Sequence, residues 1–80
     1  MEKIRETLGD WLRKNKDADD YDLNNWTLGT FLDSLDIVDF VVEIEKTYDI
    51  DVSDDYYEWD SKSFDDVVKY VTVKVNEKNN

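Results

Sequence analysis

The sequence predicts an all-α fold: a small four-helix bundle of three longer helices and one short one, with a long loop between helices one and two. Three observations carry that expectation. Apolar residues recur at helical spacing in three separate windows. The 80 residues include no proline and only two glycines. One stretch, VTVKV, also alternates as a strand would, and it has no partner strand elsewhere. A hydrophobic content of 40%, with three Trp, five Tyr and three Phe, supplies the surface for one core, and the length suits a single domain spanning 1–80.

Helix one is predicted over residues 2–14, where Ile4, Leu8, Trp11 and Leu12 fall at i, i+4, i+7 and i+8. Residues 15–33, NKDADDYDLNNWTLGTFLD, mix turn-forming Asn, Asp and Gly with Tyr21, Leu23, Trp26, Leu28, Phe31 and Leu32. They read as a long loop pinned to the core by those apolar side chains. Helix two starts at Ser34 and ends near Thr47 or Tyr48, with Ile37, Phe40, Val41, Ile44 and Tyr48 sharing one face. Asp33 and Asp36 place acids at its first turn, where capping and the helix dipole favour them.

Ser53, followed by Asp54 and Asp55, predicts an N-cap for a short helical turn carrying Tyr56, Tyr57 and Trp59. Ser63 caps a last helix in the same way, with Phe64, Val67, Val68 and Val71 on its inner face. The terminal NEKNN is a polar tail expected to fray.

Charge narrows the function. Ten Lys and Arg stand against 21 Asp and Glu, a formal net charge of −11. Such a surface repels phosphate backbones and anionic headgroups, so neither nucleic acid nor a membrane is an expected partner, whereas a basic protein surface is. The chain has no Cys and no His. It therefore lacks Ser-His and Cys-His nucleophile pairs, thiolate or imidazole metal ligands and, with two glycines, a phosphate-cradling loop. It is read as no enzyme and as holding no metal. The N-terminus MEKIRETLGDWL lacks an unbroken apolar leader, and no apolar run approaches a membrane span. A cytoplasmic monomer is the simplest expectation.

On a helical wheel of roughly 100° per residue, Leu35, Val38 and Val42 fall outside the inward arc of helix two. They form a second apolar stripe bordered by Asp36, Asp39 and Glu45. Small apolar contacts ringed by acids suit a partner that combines Lys or Arg with a hydrophobic pocket.

Asp33-Ser34-Leu35-Asp36 at a helix start, followed by IVDFVVEIEKTYDIDV and preceded by Leu28-Gly29, resembles the acyl carrier proteins. The likeness covers the chain. It implies a 4′-phosphopantetheine arm attached to Ser34 with Asp33, Leu35 and Asp36 around it, and acyl intermediates carried on that arm as thioesters to fatty-acid or polyketide-type enzymes. It also implies loading from coenzyme A by a phosphopantetheinyl transferase (a holo-carrier synthase), for which the stripe and its acids, Asp36, Val38, Asp39, Val42 and Glu45 together with Asp33, are the expected docking face. The interior around Ile37, Phe40, Val41, Ile44 and Val68 is the corresponding candidate shelter for an acyl chain, beside its role as core.

Departures from the fatty-acid type leave the pathway open. Thr30-Phe31-Leu32 intervene between Leu28-Gly29 and Asp33, a longer spacing than usual. Leu32 before Asp33 is similar to the D-alanyl carriers, but Asp36 stands where those tend to have glycine, and peptidyl carriers are generally less acidic along helix two. The alternatives are a D-alanyl or other specialised carrier, or an acidic interaction module that uses its charge and not Ser34. Asp20-Tyr21-Asp22-Leu23-Asn24-Asn25 matches the first ligand positions of a calcium loop. Asn25 replaces the required glycine and Phe31 the bidentate glutamate, so the stretch reads as a solvated acidic loop.

Overall fold

The computed structural model describes residues 2–79. Helix α1 runs Glu2–Lys16, α2 Asp20–Asn25, α3 Leu28–Phe31 and α4 Ser34–Tyr48; a 3-10 helix spans Tyr56–Ser61, and α5 runs Phe64–Asn79. The three long helices are those the periodicity predicts. Leu8 and Leu12 of α1, Ile37, Phe40, Val41 and Ile44 of α4, and Phe64, Val67, Val68 and Val71 of α5 are all buried in one core. Burial of such side chains is worth about 1.5–3 kcal/mol each and is the main force joining the helices.

The predicted loop is mostly helical. Helix α1 continues two residues further, with Arg13, Lys14 and Lys16 in its last turn complementing the dipole. It stops at Asp17, which takes a left-handed φ of 56°. An aspartate tolerates this better than most residues and does here what a terminal glycine usually does. Asp19 then starts α2 through a reciprocal cap, its carboxylate accepting from Asp22 N–H at 2.8 Å while the Asp22 carboxylate accepts from Asp19 N–H at 3.4 Å. Helices of six and four residues span too few turns to show a period, and this is why the sequence reads as loop here. Leu23, Leu28 and Leu32 are buried as pins, whereas Tyr21 and Trp26 point outward and touch each other edge to face.

Two other expectations are corrected. Ser53 caps no helix: its N–H and hydroxyl both donate to Asp51 in a turn, and the 3-10 helix begins at Tyr56 with no side-chain cap. The polar tail is helical through Asn79, and Lys78 donates to the backbone carbonyl and carboxylate of Asp49 at 2.8 and 2.6 Å, clamping the C-terminal end of α4. Asn80 lies outside the described residues. VTVKV is helix, and Ser63 caps α5 as expected, its hydroxyl accepting from Asp66 N–H at 3.1 Å.

Helix α1 packs on α5 and α4, while the 3-10 helix lies against both α3 and α4. An isolated antiparallel bridge between Thr27 and Ser63, with Leu28 N–H donating to Lys62 C=O at 2.8 Å, ties α3 to the link before α5. Trp59, 3% exposed, fixes the 3-10 helix between Phe40 and Tyr70, its ring centroid 6.2 and 6.0 Å from theirs. These contacts place α3 and the 3-10 helix opposite the N-terminus of α4.

Candidate functional site

Asp33 sits in extended backbone before α4, and its carboxylate accepts from Asp36 N–H at 2.8 Å. The Asp36 carboxylate returns the bond to Asp33 N–H at 3.2 Å. An Asp-x-x-Asp pair thus forms the reciprocal cap more often built from Ser or Thr and Glu, and it closes two donors at the helix start. Ser34 follows the cap as the first residue of α4, exposed to solvent. Its hydroxyl stands at the positive end of a 15-residue helix.

Ser34 and Asp33 border a cleft of about 860 Å³. Leu32 and Ile37 contribute apolar surface, Gly29 and Thr30 come from α3, and Tyr56, Tyr57 and Asp60 come from the 3-10 helix. Gly29 sets the spacing of two of these elements. A Cβ at this position would lie 2.7 Å from the Asp60 carbonyl oxygen, closer than real contacts allow. Only glycine lets α3 and the 3-10 helix approach as they do.

The second apolar stripe of α4 is at the surface: Leu35 is 74% exposed, Val38 40% and Val42 48%. Its acids differ in their engagements. Asp39 is exposed, and Asp36 is half-buried in the cap. Lys16, from the end of α1, donates to both, 2.9 Å to Asp36 Oδ1 and 2.9 Å to Asp39 Oδ2. These bonds from Lys16, with the Asp33 cap second, hold the Asp36 carboxyl below its usual range, and the same pair of carboxylates pushes the Lys16 ammonium up. Glu45 turns elsewhere, accepting from Val52 N–H at 2.9 Å and closing the turn after α4.

Of the interior residues expected to shelter a chain, Ile37, Phe40, Val41, Ile44 and Val68 are all no more than 5% exposed, and among them Ile37 lines the cleft. The cleft itself, with Thr30, Tyr56, Tyr57 and Asp60, was not visible in the sequence. Its only signal there was Leu28-Gly29. Lys16 carried no signal, because an isolated lysine after a helix has no period. The acids of the calcium-like stretch serve the protein: Asp22 caps α2, and Asp20 accepts from Arg13 at 2.6 Å. Among the described residues no cluster of three or more acidic, His or Cys side chains is arranged to hold a metal ion.

Comparison with curated proteins and with solved structures finds no match. The family model of the phosphopantetheine attachment site matches residues 2–71, which contain the α4 start, the cleft and most of the core. The chain therefore belongs to the phosphopantetheine-attachment family, non-catalytic carriers whose covalently held 4′-phosphopantetheine is installed by a phosphopantetheinyl transferase and served by biosynthetic enzymes.

Proposed function

We propose that Ser34 is the attachment residue, and that the chain, as one domain over 1–80, is an acyl carrier delivering thioester-linked intermediates to fatty-acid or polyketide-type enzymes. The observation that carries this reading is the position of Ser34, exposed at the first residue of α4 and on the rim of the cleft. The surroundings fit the arm. An anion on the Ser34 hydroxyl would lie at a helix N-terminus, favoured by about 0.3–1 kcal/mol. The cleft offers Leu32 and Ile37 to apolar parts; its Thr27 and Thr30 hydroxyls bond each other and the Ser61 hydroxyl donates to Glu58 C=O, leaving acceptor lone pairs for an amide N–H. Asp33 and Asp36 would oppose a phosphodiester, and Lys16 offsets Asp36, so the residues steady the anchor without gripping it. When bound, the group supplies the thiol that a chain without cysteine lacks.

Docking of the transferase and later enzymes is assigned to Asp36, Val38, Asp39 and Val42, and to partners with basic patches; Glu45, which accepts from Val52 N–H, marks the far edge of the face. Leu35 beside Ser34 extends the apolar part. Sheltering by Ile37, Phe40, Val41, Ile44 and Val68 requires the core to open, and Ile37 is the residue through which the cleft would lead inward. Among the described residues no helix is long and apolar enough to cross a membrane. A cytoplasmic monomer remains the reading in keeping with a charge of −11.

One observation favours a second reading, an aminoacyl carrier of the D-alanyl kind. Asp33 and Asp60 both line the cleft, where a cargo ammonium would find carboxylates. Intact mass after incubation with coenzyme A and a broad-specificity transferase tests the first step, beside Ser34→Ala. A gain of one phosphopantetheine unit that vanishes in the variant is expected; a gain that survives in the variant removes Ser34 as the site. Loading with acyl and with aminoacyl coenzyme A then separates the cargoes, because the cargo that fits is hydrolysed more slowly from this protein than from small-molecule pantetheine.

A further inference from the structure

Among the described residues, Lys16 is the cation paired with Asp36 and Asp39 of the α4 face, and it is built into place. Its side chain is only 17% exposed, and its ammonium lies between carboxylates one helical turn apart. It also lies 5.9 Å from the centre of the Trp11 ring, which in turn stacks on Phe40 in the core at 5.7 Å. A stem ordered against an aromatic ring loses little further freedom when its head is paired. The residue stands in the last turn of α1, where the helix dipole also favours a cation.

The two carboxylates are unequal. Asp36, 31% exposed, has one oxygen in the cap and the other on Lys16, and so has less accessible acceptor capacity than Asp39 for a donor from outside. Asp39 is 62% exposed and holds Lys16 through a single oxygen. A basic side chain from outside therefore reaches Asp39 more readily than Asp36, both of whose oxygens already hold a partner.

We propose that Lys16 is a specificity-setting residue of the docking face, an internal cation that competes with the partner's Lys or Arg for Asp39 and reserves Asp36 for the cap beside Ser34. The inference rests on α4 being the face that partners engage. It follows that the wild-type protein binds basic partners more weakly than its acids allow. A partner with a guanidinium, able to take both oxygens of Asp39, displaces Lys16 from it more readily than one with a lysine.

Lys16→Met keeps a stem over Trp11 and removes the charge; Lys16→Arg keeps both. Thermal unfolding first establishes that each variant is folded. Initial rates of loading by a transferase, read by mass at low salt, then give KM and kcat for each protein. Lys16→Met is expected to lower KM about two- to fivefold with kcat unchanged, and Lys16→Arg to stay near wild type. On an Asp39→Asn background the gain from Lys16→Met should disappear. An unchanged or raised KM in a folded Lys16→Met protein overturns the inference, provided Asp39→Lys still raises KM. If Asp39→Lys has no effect either, the docking face itself is elsewhere and both readings fall.

Discussion

At the scale of single residues, Gly29 shows how a side chain's absence shapes the site. The Asp60 carbonyl occupies the space a Cβ would take, at 2.7 Å, and this oxygen belongs to backbone that cannot rotate away. Adding one methyl must push α3 from the 3-10 helix, which together supply two walls of the cleft. Gly29→Ala is expected to destabilise the fold by about 1–3 kcal/mol, the usual range for overpacking. Urea unfolding monitored by Trp fluorescence checks it, since Trp59 is buried on the displaced helix. A variant as stable as wild type would mean the two elements separate freely, and the cleft would have no fixed width.

At the scale of elements, the 3-10 helix depends on side chains from outside it. Residue 59 inserts between Phe40 and Tyr70, and the Tyr70 hydroxyl donates to Asp55 at the head of the element. Burial, then the Asp55 hydrogen bond and the nearby charges of Asp55, Asp51 and Asp54, drive the Tyr70 phenol well above its ordinary value. The folded state thus favours neutral tyrosine. Its contribution is whole below the unfolded value of about 10 and is lost as pH rises beyond it. Tyr70→Phe should cost about 0.5–1.5 kcal/mol near neutrality, the worth of the hydrogen bond, and should flatten the alkaline fall in stability. Thermal melts between about pH 7 and 11 compare the two; parallel alkaline limbs would show that another group is responsible.

The same elements explain what could be read in advance. Helices α1, α4 and α5 were legible because 15 or 16 residues give several repeats of an apolar face. So were the start of α4 and the exposed stripe of Leu35, Val38 and Val42, which follow from caps and a wheel. Helices α2 and α3 were not, because their Asn, Asp and Gly content signals turns and their lengths hide any period. Ser53 misled because an Asp two residues before it, Asp51, takes its N–H and hydroxyl. The Lys16 bridge joins positions 20 and 23 residues apart, and no local rule reports such a pairing.

At the scale of the whole molecule, the charge of −11 is spread over a body of 34 × 24 × 18 Å. At about 0.01 M salt the screening length is about 30 Å, so nearly every acid feels every other; at about 1 M it is about 3 Å and only direct neighbours interact. Salt must then act in opposite directions on folding and on partnership. Screening relieves the self-repulsion of the compact state, so the thermal midpoint should rise with sodium chloride. The six ion pairs among the described residues weaken at the same time, but four of them are largely solvated and worth about 1 kcal/mol or less each, too little to reverse the trend. Docking on the α4 face proposed above would weaken as screening grows, so loading at the proposed Ser34 site by a transferase with a basic patch should slow through KM while the carrier becomes more stable. Melting and loading measured across one salt series decide the matter. A midpoint that falls with salt would mean that the ion pairs outweigh the repulsion, and a KM indifferent to salt would mean that the partner grips the apolar stripe without using the charge.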